Sequence, residues 1–325
     1  PIKQIKVNRD ALADTTGGWS TYIAGAKISD GTTTLLGTIT DNVLTFGAGT
    51  STIYTVANAG NKTFTLSIYL KQSLPAGADG KFLGFSINPN NDITVDIVGS
   101  QFAPAAAALT SSSKVQVTIS KFMLTASASS MQAGNGITVN IKGTDINGNI
   151  DSDSAGVKEI IFSGASAALT GTKPNCTNYS AVGVDFGGIT LVSFASGQSS
   201  SVITMKLYKA EVAAIKATTS DSLVTTSAAD GLNITVTGGI ANKLSWLTQP
   251  ISTVVANAPW SSFKVSVVDT YGNIAPSAIN LTVVPTGGTL SVGATAQVAT
   301  VSGIATFDNL AVYCAVYPGT VALNA

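Results

Sequence analysis

The sequence predicts an all-β chain built as three tandem antiparallel β-sandwich domains. Three observations carry this expectation. Short segments alternate apolar and polar residues along the whole chain. Clusters of Gly, Asn, Asp and Ser interrupt them every ~8–12 residues, the spacing of sandwiches. One turn pattern, D-x-x-G-N-I, occurs twice, its aspartates Asp145 and Asp269 standing 124 positions apart.

The elements follow in order. Residues 63–70 (TFTLSIYL) put Phe64, Leu66, Ile68 and Leu70 at alternate positions. A period of two describes a strand with one buried face. The same alternation marks 114–119 (KVQVTI), 137–143 (ITVNIKG), 202–208 (VITMKLY), 233–238 (NITVTG) and 263–269 (FKVSVVD). Residues 209–218 (KAEVAAIKAT) have the alanine content of a helix, yet both flanks read as strands, so strand–turn–strand is expected. The repeat sets the boundaries. Ile137, Val139 and Ile141 lead into the first D-x-x-G-N-I with the same parity as Phe263, Val265 and Val267 into the second. An opening strand precedes each, from Lys121 and from Lys243, and each follows a closing strand, 115–119 and 234–236. The expected domains are 1–120, 121–240 and 241–325, joined by linkers too short to be flexible.

Composition narrows the functional classes. The formal net charge is zero and only 10% of residues are charged. That balance supplies no electrostatic reason to bind nucleic acid or an anionic membrane surface. A neutral, hydroxyl-rich surface favours association instead. Aspartate outnumbers glutamate 15 to 2, as turns and oxygen-rich loops prefer. Histidine is absent from the sequence, which excludes Ser-His-Asp and Cys-His mechanisms and leaves zinc without its usual ligands. Cys176 and Cys314 read either as buried, inert thiols or as a disulfide between domains or subunits. No apolar run approaches the ~18 residues of a membrane span. The chain opens at Pro1 without a basic-then-apolar leader, and the expectation is that a signal segment was removed or lies outside this sequence.

From Lys243 onward the residues resemble a known family. TQP at 248–250, VVDTYGN at 267–273, GGTL at 287–290, Gly303-x-Ala305-x-Phe307 with Leu310, and YPGTVALNA at 317–325 look like the bacterial immunoglobulin-like repeats of large surface proteins, invasin- or filamin-like in layout. Residues 121–240 form a looser copy. They keep DINGN at 145–149, GGITLVSF at 187–194 and ITMKLYKAEVAAIKAT at 203–218, with longer insertions around 165–200. In the first domain, 44–71 is similar to β-sandwich modules of prokaryotic surface-layer proteins. The resemblance implies immunoglobulin-like sandwiches with an extracellular, cell-surface role, structural or adhesive, and implies no catalytic residues.

Two readings compete for the D-x-x-G-N stretches. As hairpins, they use Gly148 and Gly272 for positive φ, and Asp145 and Asp269 as acceptors for the turn's own amides. As a metal loop, only the first copy qualifies. It continues into Asp151 and Asp153, where the second has Ala275 and Ser277. Asp145, Asn147, Asn149, Asp151 and Asp153 form an oxygen-rich set suited to Ca²⁺. The EF-hand pattern itself fails, because Ile150 stands where its glycine belongs and no Glu closes the loop.

Other candidates are weaker. NPNND at 88–92 reads as a turn. Ser111-x-x-Lys114 matches a Ser/Lys acylation motif by letters alone. Glu159 and Glu211 are the two glutamates available to a glycosidase-like pair. Trp246 reads as core, and Trp19 and Trp260, flanked by Gly, Ser and Pro, as exposed or interface aromatics that could stack on sugars. The sequons at Asn61, Asn175, Asn178, Asn233 and Asn280 are no more than chance supplies in a Ser/Thr-rich chain. The expected function is a non-enzymatic structural subunit of an extracellular surface layer, sheath or filament, partnered by copies of itself. Residues 1–7 (PIKQIKV) could serve as a donor strand. The alternative is an adhesin stalk or a module that binds surface glycans.

Overall fold

The computed structural model of the chain describes residues 1–11, 13, 17–57, 60–96, 108–313 and 322–324. These residues are all-β, with helix confined to two single turns. They divide into two compact units: Pro1–Met123 with Lys142–Gly156 and Phe194–Gln198, and Leu124–Ile141 with Val157–Ser193 and Ser199–Ala325.

In the first unit the strands are β1 (Ile2–Arg9), β2 (Ile23–Ser29), β3 (Thr34–Leu36), β4 (Thr38–Ile39), β5 (Val43–Phe46), β6 (Thr65–Leu70), β7 (Phe82–Ile87), β8 (Ile93–Val95) and β9 (Leu109–Lys114). One sheet runs β4-β5-β1-β7-β9, with β8 also on β1, and the other runs β3-β2-β6. Ile2, Ile5 and Val7 of β1, Ala26 and Ile28 of β2, Leu44 and Phe46 of β5, and Leu83 and Phe85 of β7 join in one apolar cluster. Inward residues of both sheets therefore share a core, which makes this part a sandwich.

The donor-strand expectation for 1–7 is corrected here. β1 is the centre of its own sheet, with β5 along one edge and β8 and β7 sharing the other. The apolar residues of that stretch are spent on the unit's own core. The strand expected at 114–119 is also displaced. The paired strand is β9, six exposed residues on β7. Val115 and Val117 are buried as their alternation predicts. Val115 N–H still donates to the Lys81 carbonyl at 2.7 Å, just before β7, whereas Val117 N–H leaves the ladder for Asp79 Oδ1 at 2.8 Å.

Trp19 is another correction. It opens a one-turn helix, Trp19–Tyr22, and is fully buried, its ring 5.1 Å from that of Phe85. Trp260 is buried as well, between Phe263 and the segment of Leu310, whose carbonyl takes its backbone N–H. Small and turn-forming neighbours let the chain fold these rings inward, so they are not surface aromatics. Trp246, expected in the core, is partly buried against the same cluster.

In the second unit, 137–139 pairs with 203–205, 160–163 with 216–219, and 212–215 with 232–235, all antiparallel. Ser130–Gln132 pairs in parallel with 235–237. The segment 209–218 is not helical: a bend at 209–211 leads into the strand Val212–Thr219. Further along, Phe263–Val268 lies between Lys243–Thr248 and Ile304–Phe307. Phe263 and Phe307 stack there at 5.1 Å within a second cluster that includes Val265, Leu281 and Leu310. Cys176 is buried among the strands of this unit, and burial pushes its thiol pKa up. Cys314 lies outside the described residues.

Candidate functional site

Both D-x-x-G-N stretches are hairpin turns with the same hydrogen bonds. In the first, Asp145 N–H donates to the Asn149 carbonyl at 2.9 Å and Gly148 N–H to the Asp145 carbonyl at 3.1 Å. Asp145 Oδ1 accepts the N–H groups of Asn147 and Asn149, each at 2.9 Å, and Oδ2 accepts Asn149 Nδ2 at 2.8 Å. In the second, Asp269 accepts Tyr271 N–H, Asn273 N–H and Asn273 Nδ2, all at 2.8 Å. The glycines sit at φ 91° and 87°, where a Cβ is strained.

Each turn also fastens chain that comes long before it. Asn149 Nδ2 donates to the Gln72 carbonyl at 2.7 Å, and its Oδ1 accepts Leu74 N–H at 2.9 Å. Asn273 does the same with the Tyr208 carbonyl at 2.8 Å and Ala210 N–H at 2.7 Å. The asparagine of the pattern is thus an amide clamp on a segment 63 to 77 residues upstream. Asp269 is buried, and that burial raises its pKa; the Asn273 amide and the N–H groups of Gly239, Asn273 and Tyr271 outweigh it and hold the carboxyl below its usual range.

The acidic extension of the first copy does something else. Asp151 is 92% buried at the position where the second copy has the buried Ala275. Its Oδ2 accepts Ile119 N–H at 3.1 Å. Its Oδ1 is buried with no hydrogen-bond partner among the described residues. Next to it lies Asp79, from the turn before β7. Asp79 Oδ1 takes Val117 N–H, and Oδ2 takes Ser152 N–H at 2.8 Å, Ser152 Oγ at 3.2 Å and Asp153 N–H at 3.3 Å. Asp79, Asp151 and the exposed Asp153 bring one carboxylate oxygen each within 4.8 Å of one another. Burial raises the Asp151 pKa most, and the neighbouring carboxylates of Asp153 and Asp79 raise it further, against the Ile119 N–H. All these residues belong to the first unit.

Of the five residues expected around a calcium ion, the structure brings Asp151 and Asp153 together. It commits Asp145 to its own turn and Asn149 to the Gln72–Leu74 clamp, and leaves Asn147 exposed at the turn's tip. Asp79 was not foreseen. It lies in GADG at 77–80, more than seventy residues from Asp151, and no local pattern links the two.

The remaining candidates have local duties. NPNND is a single helical turn capped by Asn88, whose N–H donates to Asp92 Oδ2 at 2.6 Å. Ser111 and Lys114 lie on β9 at an odd spacing, hence on opposite faces. Glu211 pairs with Lys209 at 3.2 Å and accepts Ser166 N–H, while Glu159 accepts Ser220 Oγ. Among the described residues no helix is long and apolar enough to cross a membrane.

Comparison with known proteins yields no matching family description and no matching curated protein. Solved structures do align. A β-glycosidase from Bacteroides vulgatus matches at 12% identity over 72% of this chain and 25% of its own, with a TM-score of 0.27. Two fragments of the surface layer protein SbsC, domains 1–6 and 4–9, match at 12% and 14% identity, over 99% and 89% of this chain and 51% and 43% of theirs, with TM-scores of 0.18 and 0.21. The chain spans about half or less of each.

Proposed function

We propose that this chain is a structural subunit of an extracellular assembly at a cell surface, built by association with copies of itself and organised as three tandem sandwiches, 1–120, 121–240 and 241–325. The observation that carries the reading is the twice-used amide clamp. Asn149 and Asn273 each fix a D-x-x-G-N turn to chain far upstream through a pair of side-chain hydrogen bonds. A device repeated at a period of 124 residues serves the repeat itself rather than a substrate.

The surface chemistry supports association. Among the described residues β9 pairs on one side only, with β7, and all six of its residues are exposed. An edge of this kind is a template for a strand from another molecule. Zero net charge leaves little electrostatic self-repulsion. Trp19 and Trp260, read in the sequence as able to stack on sugars, are buried and lend the glycan-binding alternative no support. The chain carries out no catalysis in this reading.

Negative-stain microscopy of the native material tests it. Regular lattices, sheaths or fibres are expected. Particles that stay monomeric across concentration, by microscopy and by sedimentation, would overturn it.

A further inference from the structure

We propose that Asp79, Asp151 and Asp153 bind a divalent cation of the calcium class within the first unit. This goes beyond the assembly reading and holds whether or not the chain polymerises.

Three carboxylates supply the donors. One oxygen of each lies within 4.8 Å of the others. Ligands on opposite sides of a calcium ion stand about 4.6–5.2 Å apart, given bonds of ~2.3–2.6 Å. The three oxygens therefore fit on one such shell. The donors are hard oxygens, and calcium completes its set of 6–8 from carbonyls and water.

The second observation is independent of the clustering. Asp151 is 92% buried, and among the described residues nothing donates to its Oδ1. A buried carboxylate oxygen without a donor is costly, and a cation is a partner that would satisfy it. Among the described residues, the hydroxyl of the buried Ser154 is likewise without a partner.

The second copy shows that the hairpin does not need these acids. There the D-x-x-G-N turn forms with Ala275, Pro276 and Ser277 in place of Asp151, Ser152 and Asp153. Pro276 also lacks the N–H that Ser152 gives to Asp79. In the second copy Gly239 N–H is held by Asp269 itself. In the first copy the corresponding incoming segment is held through Asp79 and Asp151. A cation here ties residues 75–80, 117–119 and 151–153 together at three carboxylates that otherwise repel.

The test is calorimetric titration of the full chain with CaCl₂ after chelator treatment, paired with thermal melting. One site per chain is expected, with Kd around 10⁻⁴–10⁻³ M, the range of extracellular modules, and a calcium-dependent rise in melting temperature. Asp153→Asn should weaken binding at least tenfold. Asp151→Ala installs the residue of the second copy. It should abolish the calcium response while circular dichroism remains that of a folded β-protein. Asp185→Asn, at an exposed carboxylate in the second unit, should bind as the parent does. No heat and no melting shift up to several millimolar calcium would overturn the proposal. So would a response that survives both Asp151→Ala and Asp153→Asn.

Discussion

The side-chain oxygen of Asn149 accepts the backbone N–H of Leu74 at 2.9 Å across 75 residues of chain, and Asn273 repeats the bond with Ala210 at 2.7 Å across 63. In both cases the same amide also donates to a carbonyl two residues earlier and to the aspartate of its own turn. One side chain therefore satisfies a local turn and a distant segment together.

Removing that side chain should uncouple the two. Asn273 is 95% buried, so Asn273→Ala strands a carbonyl and an amide away from water. A loss of about 2–4 kcal/mol is expected from unmade buried hydrogen bonds. Asn149 is less buried, and Asn149→Ala should cost about 1–2 kcal/mol because water can replace part of what is lost. Urea unfolding of the two variants checks the order. Equal losses would contradict the role assigned to burial.

The two turn glycines should also differ. Both have positive φ, so alanine costs about 1 kcal/mol at either site from backbone strain. A Cβ on Gly272 would also meet Leu169 Cβ at 3.2 Å, whereas one on Gly148 meets nothing nearer than Met123 Sδ at 3.9 Å. Gly272→Ala should be the more destabilising of the pair in the same unfolding assay.

Acid should loosen the second turn through Asp269. Its folded pKa lies below its unfolded value, since the Asn273 amide and three backbone N–H groups outweigh the burial that pushes it up. Such a group contributes its full stability above the unfolded pKa of ~3.9, and that contribution fades as pH falls through the lower folded value. The parent should therefore lose melting temperature between about pH 5 and 2. Asp269→Asn should be less stable at pH 7 and show a flatter acid limb. An identical acid limb in both would rule out this linkage.

Cys176 should be chemically silent in the folded chain. It is buried and its thiol pKa is raised by desolvation, so little thiolate forms near neutral pH. In a Cys314→Ser variant, native protein should react with a thiol reagent at least a hundredfold more slowly than urea-unfolded protein. Rapid labelling without denaturant would contradict the burial.

Trp19 should tolerate the loss of its indole nitrogen. That N–H is buried without an acceptor among the described residues, while the ring packs on Phe85. Trp19→Phe removes an unmet donor along with some packing. The expected cost is below about 2 kcal/mol, less than the ~3–5 kcal/mol of truncation to alanine. Unfolding of the two variants, followed by circular dichroism, provides the comparison.

Much of the architecture is legible in local pattern. The alternation in 137–143, 202–208 and 263–269 predicts strands, and strands occur at Gly136–Thr144, Ile203–Lys206 and Phe263–Val268, because a half-buried strand must alternate its side chains. The D-x-x-G-N turns are equally local: glycine meets the φ and aspartate meets the amides within five residues. β9 was not legible. LTSSSK has no apolar face, because an exposed edge strand needs none. The alternation in 115–119 is real burial at Val115 and Val117, but the N–H groups of Val117 and Ile119 go to carboxylates, since alternation reports which side chains are inside and not where the N–H groups go. The tryptophans misled for a related reason. Turn-like neighbours describe the backbone around Trp19 and Trp260, not the cavity that the rings fill.

By itself, then, the sequence determined an all-β chain, a turn used twice and the absence of histidine chemistry, all consequences of composition and of interactions a few residues long. Only the tertiary structure decided that Asn149 and Asn273 act as clamps, that β1 belongs to its own sheet, and that Asp79 meets Asp151 and Asp153. Those outcomes depend on which distant segments a closed sandwich brings side by side. Contacts across sixty or seventy residues leave no periodic trace in the chain, because each partner's local environment is satisfied by an ordinary turn.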